Sequence, residues 1–226
     1  MITASATYQS SQIEDAIVQR KEALAIALIN TYPEYARVSR PWRNGAHSLP
    51  EACGRGLEKL VAVMLAHGAE VHTTDAFNGT GLTYAVKAGH VSLAEMLLNH
   101  HANPNRAEMN WSFDNVALHG AAMNNHSAAV NLLLAHGANP NLVTPMDAMT
   151  ALMCACKYGG EEAALPLIRV ADLALRDRYG RSARDFAVKN NQKNIISAID
   201  VALASNRARG FIFAMENESK SPYPSF

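Results

Sequence analysis

One phrase of sequence, written several times with variations, constrains this chain more than any other feature. Its clearest copy runs from Asn125 to Asn141, Asn-His-Ser-Ala-Ala-Val-Asn-Leu-Leu-Leu-Ala-His-Gly-Ala-Asn-Pro-Asn. Val130, Leu133 and Leu134 recur at three- and four-residue spacing with Ala129 beside them, so the run reads as one face of a short helix. Gly137 follows, and a residue without Cβ takes the left-handed conformation that ends a helix. The same words return from Leu97 to Asn105 and from Met64 to His72.

A first helix and a turn complete each unit. The turn falls at Arg20, Gly56, Gly89, Asn125, Gly159 and Asn191, at intervals of 36, 33, 36, 34 and 32 residues. The first helices read Thr80 to His90, Val116 to His126 and Thr150 to Gly160, with small residues at Ala85, Ala121-Ala122 and Ala155-Cys156 that let neighbouring helices stack closely. These stretches resemble the Thr-Pro-Leu-His-x-Ala-Ala-x-x-Gly-His pattern of ankyrin repeats, whose period lies near 33 residues. The resemblance covers residues 11–203 and implies an all-α solenoid of about six stacked helix pairs with short β-turn fingers. A flexible N-terminus, 1–10, precedes it. The array divides into an opening pair 11–32, a connection 33–46, repeats at about 47–75, 76–105, 106–141 and 142–176, and a closing pair 177–203. The end units are degenerate, as units with one face toward water are expected to be. A tail, 204–226, is expected to be disordered over its last ten or so residues, with Phe211-Ile212-Phe213 read as a cap on the closing repeat or, as the alternative, a short partner motif.

The departures from the pattern carry expectations of their own. His101 stands at a capping-glycine position and should be left-handed, at some cost. Val170 is too poor a left-handed residue to copy that turn, so the end of the fourth repeat should be built differently. Pro166 lacks a donor inside the same helix and should bend it or delay its start. The finger between Asn105 and Val116 is the longest internal one, and the connection with Pro33, Pro41, Trp42 and Gly45 is unusually long.

Composition narrows the function. Hydrophobic residues at 49% and charged ones at 18% fit a folded core. Lysine plus arginine equals aspartate plus glutamate at 20 each, so nothing pulls the chain toward nucleic acid or an anionic membrane. No basic start or apolar run marks a signal peptide near Met1, and a cytoplasmic protein is expected, with delivery to a host cell as the variant if the source is bacterial. Cys53, Cys154 and Cys156 are too few and odd in number for a disulfide framework.

The chemistry-bearing residues read as structural. Histidines 67, 100 and 136 share one repeat position and histidines 90 and 126 another, and residues a whole repeat apart do not converge on one metal. The adjacent His100-His101 pair is a slightly better candidate. Cys53 and Cys156 occupy a small-residue core position, and no phosphate loop, paired carboxylates or Ser-His-Asp order stands out. No cofactor, metal or catalytic residue is therefore assigned. The ankyrin resemblance implies partner contact through finger tips and exposed first-helix positions. Carried over position by position, these are Phe77, Trp111, Phe113, Asn115, Met146, Met149, Arg178, Tyr179 and Arg181 on fingers, with Lys87, Met123, Asn124, Lys157 and Tyr158 on first helices. Aromatic, Met and Arg side chains are the types enriched at interface hot spots. The expected function is a non-enzymatic protein–protein interaction module (adaptor, inhibitor or effector), monomeric on its own. The alternatives are a small metal- or thiol-dependent enzyme using the Cys and His residues, or a self-assembling subunit.

Overall fold

The structure is a computed structural model that describes residues 4–37, 48–75, 79–106 and 116–218, with the backbone alone for 4–10, 37 and 207–218. The helices are α1 (Ala4–Val18), α2 (Glu22–Thr31), α3 (Glu34–Arg37), α4 (Ser48–Gly54), α5 (Glu58–Ala66), α6 (Gly81–Lys87), α7 (Val91–Asn99), α8 (Ala117–Met123), α9 (Ser127–Ala135), α10 (Ala151–Tyr158), α11 (Glu161–Ile168), α12 (Ala183–Lys189) and α13 (Lys193–Glu218). Except for α3, a single turn in the connection, they form six antiparallel pairs stacked in chain order. Two isolated antiparallel bridges, Thr74 with Thr80 and Val143 with Thr150, close the bases of two fingers. No helix among the described residues is long and apolar enough to cross a membrane.

Local chemistry places the ends of these helices. The hydroxyls of Thr80, Thr150 and Ser182 accept from the amides of Thr83, Met153 and Asp185, each satisfying a first-turn donor. Ser182 and Asp185 make the full reciprocal box. All six turn residues adopt left-handed φ, from 55° at Arg20 and Asn191 to 85° at Gly159. His101, at φ 65°, does the same at the end of α7, where Gly68 and Gly137 serve the neighbouring units. The end of α11 has no such residue. Arg169 stays right-handed at φ −75°, and the amides of Val170 and Ala171 both donate to the Leu167 carbonyl. Pro166 does not delay α11, which begins at Glu161 directly after its turn. The missing donor falls late in the helix, where it removes a rung of the last turn and leaves the start untouched.

The first helices, α4, α6, α8, α10 and α12, make the more tightly packed layer. Ala52-Cys53, Ala85-Val86, Ala121-Ala122 and Ala155-Cys156 are fully buried there, and only short side chains let helices approach so closely. Leu60, Leu97, Leu133 and Leu167 of the second helices fill the space behind them, all with no exposure.

The repeated Asn-Pro-Asn words turn out to be polar staples between units. Asn103 Oδ1 and Asn139 Oδ1 accept from the amides of Asn105 and Asn141 within their own loops, each at 2.9 Å. Asn105 then reaches the next unit, its Nδ2 donating to the Gly137 carbonyl at 2.9 Å and its Oδ1 accepting from the Asn139 amide at 2.7 Å. Asn141 Oδ1 repeats the reach to the amide of Asp172 at 2.8 Å. The closing helix departs from its siblings in length, since α13 has 26 residues against 8 to 10 in the earlier second helices. Its backbone continues past residue 203, and the side chains of Phe211-Ile212-Phe213 lie outside the described residues.

Candidate functional site

The surface made by the first helices and the fingers of the fourth and closing units is fully described, and it is built from long-range polar braces. Asp177 is the hub of the closing finger. Its Oδ1 accepts from the amides of Tyr179 and Arg181, and its Oδ2 from Arg181 Nε at 2.8 Å. The Arg181 guanidinium, so anchored, lies 4.8 Å from the Tyr179 ring centre and 4.7 Å from that of Phe186. Arg178 ties this finger to the preceding one, its amide donating to the Asp147 carbonyl at 2.8 Å and its Nη2 to the Pro145 carbonyl at 3.3 Å. At the other end of the same helices, Asn190 Nδ2 donates to the carbonyls of Cys156 and Lys157 at 2.7 and 2.9 Å.

On this scaffold two aromatic rings stand out into solvent. Tyr158 is 51% exposed and Tyr179 66%, and both have a cation beside them, since Lys157 Nζ lies 5.2 Å from the Tyr158 ring centre. Lys189, Asn190 and Arg178 are exposed, Lys157 is half-buried, and Asn124 is exposed with its amide turned back onto the Gly120 carbonyl. Met123, Met146 and Lys87 are half-buried.

One of the expected contact residues needs correction. Met149 is 1% exposed and belongs to the core, because the finger folds inward there. Its amide donates to Thr144 Oγ1, and its carbonyl meets His119 Nε2 at 2.9 Å. Arg181 is half-buried with its guanidinium held by Asp177, so it supports Tyr179 more than it reaches outward. Phe77, Trp111, Phe113 and Asn115 lie outside the described residues, as does most of the connection.

The second finger uses the same device as the closing one. Asp75 Oδ1 accepts from the Gly79 amide at 2.8 Å, and the Tyr84 hydroxyl donates to Asp75 Oδ2. Burial first, and the neighbouring Asp75 carboxylate second, push the Tyr84 phenol well above its ordinary pKa. Asp75 and Asp177 both stand five residues ahead of a capping Thr80 or Ser182, a signal legible in the sequence that repeat matching alone passed over.

The closing unit should be the acid-sensitive part of the array. Burial works to raise the Asp177 carboxyl, but Arg181 and the two backbone donors outweigh it and hold it below the usual range. Backbone and hydroxyl donation from Ser182 lowers Asp185, and the Arg184 pair lowers Asp200. Carboxyls lowered on folding stabilise the native state above their unfolded pKa, about 3.9, and lose that contribution as pH falls through the lower native values. The melting temperature should therefore drop as pH is lowered from about 5 toward 3, with Asp177→Asn lowering it at neutral pH and flattening the drop. An unchanged slope in that variant would detach Asp177 from the acid response.

The thiols and imidazoles are placed for packing. Burial pushes the Cys156 thiol up to about 12 and Cys53 higher still, which disfavours the thiolate a nucleophile or metal ligand requires. His126 Nε2 lies 3.1 Å from the Lys87 carbonyl, and His67 Nε2 lies 3.0 Å from Asn30 Oδ1, each bridging adjacent units. Among the described residues no three His, Cys, Asp or Glu side chains are grouped to hold a metal ion.

Comparison with known proteins agrees with the architecture. The family model described as ankyrin repeats (3 copies) matches residues 49–144 and 118–199, more than half of the chain. None of the curated proteins compared with the chain matches it.

Proposed function

Because the chain belongs to the ankyrin-repeat family, whose repeats generally mediate protein–protein interaction, we propose that it is a non-enzymatic binding module. It acts as an adaptor, inhibitor or effector in the cytoplasm by occupying a partner protein through its first-helix face and finger tips. The observation that carries this reading is the pair of solvent-exposed rings, Tyr158 and Tyr179, on a face braced by the Asp177 and Asn190 hydrogen bonds. A rigid aromatic on a braced surface binds at low entropic cost, since little has to be ordered when a partner arrives. The deep burial of Cys53, Cys154 and Cys156 favours this reading over a thiol-dependent enzyme. The chain works as a monomer in this account, and light scattering at high concentration checks that.

The test is affinity capture with the full chain read by mass spectrometry, compared with a Tyr158→Ala/Tyr179→Ala variant of unchanged circular dichroism. A partner held by the native chain and by Leu165→Ala, on the exposed side of α11, should be lost by the double variant. Truncating two anchors should weaken it by about 2–4 kcal/mol, roughly 30-fold or more. Equal capture by both variants would move the interface elsewhere.

A further inference from the structure

We propose that the first-helix face of the fourth and closing units accepts an extended, acidic protein segment carrying aliphatic or aromatic side chains; this names the partner chemistry of the binding face inferred above and rests on that reading. The chain is electrically neutral as a whole, but its charge is unevenly distributed. The second helices α5, α7 and α11 carry Glu58, Glu95, Glu161 and Glu162 against Lys59 alone, while α13 is mixed, with Lys193 and Asp200. The first helices α6, α10 and α12 carry Lys87, Lys157 and Lys189 in their last turns, and the other first-helix charges Glu51, Arg184 and Asp185 are ion-paired.

Ion pairing separates these cations from the scaffold cations. Arg55, Arg176, Arg181 and Arg184 each face a carboxylate of Glu51, Asp185, Asp177 or Asp200 at 2.6 to 3.8 Å. Among the described residues Lys157, Arg178 and Lys189 have no such ion pair. A lysine in the last turn of a helix is ordinarily explained by the carbonyl ends it faces. At α10 that explanation is weak, because Asn190 already donates to the carbonyls of Cys156 and Lys157. Lys157 Nζ lies instead beside Met149 Sδ, at 3.8 Å, and the Tyr158 ring. Charge on this face is therefore available to a visitor, and so are the Tyr158 and Tyr179 rings beside it.

Spacing sets the pattern of that visitor. Stacked helices lie about 8–10 Å apart, and an extended chain covers about 3.3 Å per residue. Acidic residues about three positions apart would then meet Lys157 and Lys189 in turn, with apolar side chains between them resting on the rings. A structured nucleic acid would need a longer basic stripe than three cations supply.

The experiment is selection of a phage-displayed random dodecapeptide library on the immobilised full chain, followed by fluorescence anisotropy with synthetic copies of the selected peptides. Enrichment of paired acidic residues with neighbouring aliphatic or aromatic ones is expected. Binding should weaken with added salt and by about fivefold to tenfold in Lys157→Gln/Lys189→Gln, a variant whose melting temperature should match the native chain. Selected peptides without acidic bias, no selected peptide, or affinity indifferent to the two lysines overturns the proposal. Equal or tighter binding of a 20-nucleotide oligothymidylate does so too, by making the face a nucleic-acid site. A captured protein lost by the tyrosine variant but indifferent to salt and to the lysine variant overturns only the acidic chemistry and leaves the protein-binding reading standing.

Discussion

Leu97→Ala should lower the unfolding free energy by about 3–5 kcal/mol, among the largest single effects available in the molecule. Leu97 is fully buried in α7, near the middle of the stack, and the end of its side chain lies close to the start of α6 beside Gly81. Its loss removes apolar contact from its own unit, and the helices on either side are held by backbone ladders that resist collapse into the space. An array is stabilised unit by unit through nearest-neighbour interfaces, so a defect in the middle weakens both couplings at once. Urea unfolding followed by circular dichroism should show an earlier midpoint and a broadened or split transition. Leu165→Ala, at a side chain 46% exposed on α11, should stay within about 0.5 kcal/mol of the native chain. A loss below about 1 kcal/mol for Leu97→Ala would mean that the site closes up and that the core is less rigid than its packing implies.

Gly56→Ala should cost about 2–3 kcal/mol, from two separable causes. The backbone there is left-handed, at φ 72°, which costs an L-residue roughly 1–2 kcal/mol. The new Cβ would also lie 2.6 Å from Cε1 of His90, whose ring rests on this turn from the next unit. His126 sits on Gly89 in the same way, 2.9 Å from the equivalent position. Three turns of the same handedness manage without glycine, at Arg20, Asn125 and Asn191. The residues that follow the turn in the next unit are Leu57 above Arg20 and Gly160 above Asn125, so no imidazole rides on those two. Gly159 separates the causes, because nothing lies within 4 Å of its missing Cβ although its φ is 85°. Gly159→Ala should therefore show the backbone cost alone. In Gly56→Ala/His90→Ala the two substitutions should cost less together than their separate costs summed, by the part that belongs to the clash. Equal costs at Gly56 and Gly159 would assign the whole effect to the backbone.

Much of the fold was legible because it is local and repeated. A Thr or Ser that caps, a turn residue that tolerates positive φ and a helix face three or four residues apart act within a few positions of chain. The six turns and even the unusual His101 were therefore readable one unit at a time. Of the two effects expected of Pro166, a bend or a late start, the late start does not occur, because the rung that lacks its donor lies in the last turn.

The candidate surface was less legible, because what makes a side chain available is decided by partners 30 or more residues away. Met149 has the composition of a contact residue, yet the finger turns it inward toward His119. Asn190, at the end of α12, reaches two carbonyls of the preceding unit. The amino-acid sequence by itself determined the period, the helix ends and the identity of the core, because each follows from short-range sterics and apolar spacing. Only the tertiary structure decided which rings stand in solvent and which asparagines staple one unit to the next. Those properties belong to pairs of residues on different repeats, and no reading within a single repeat contains the pair.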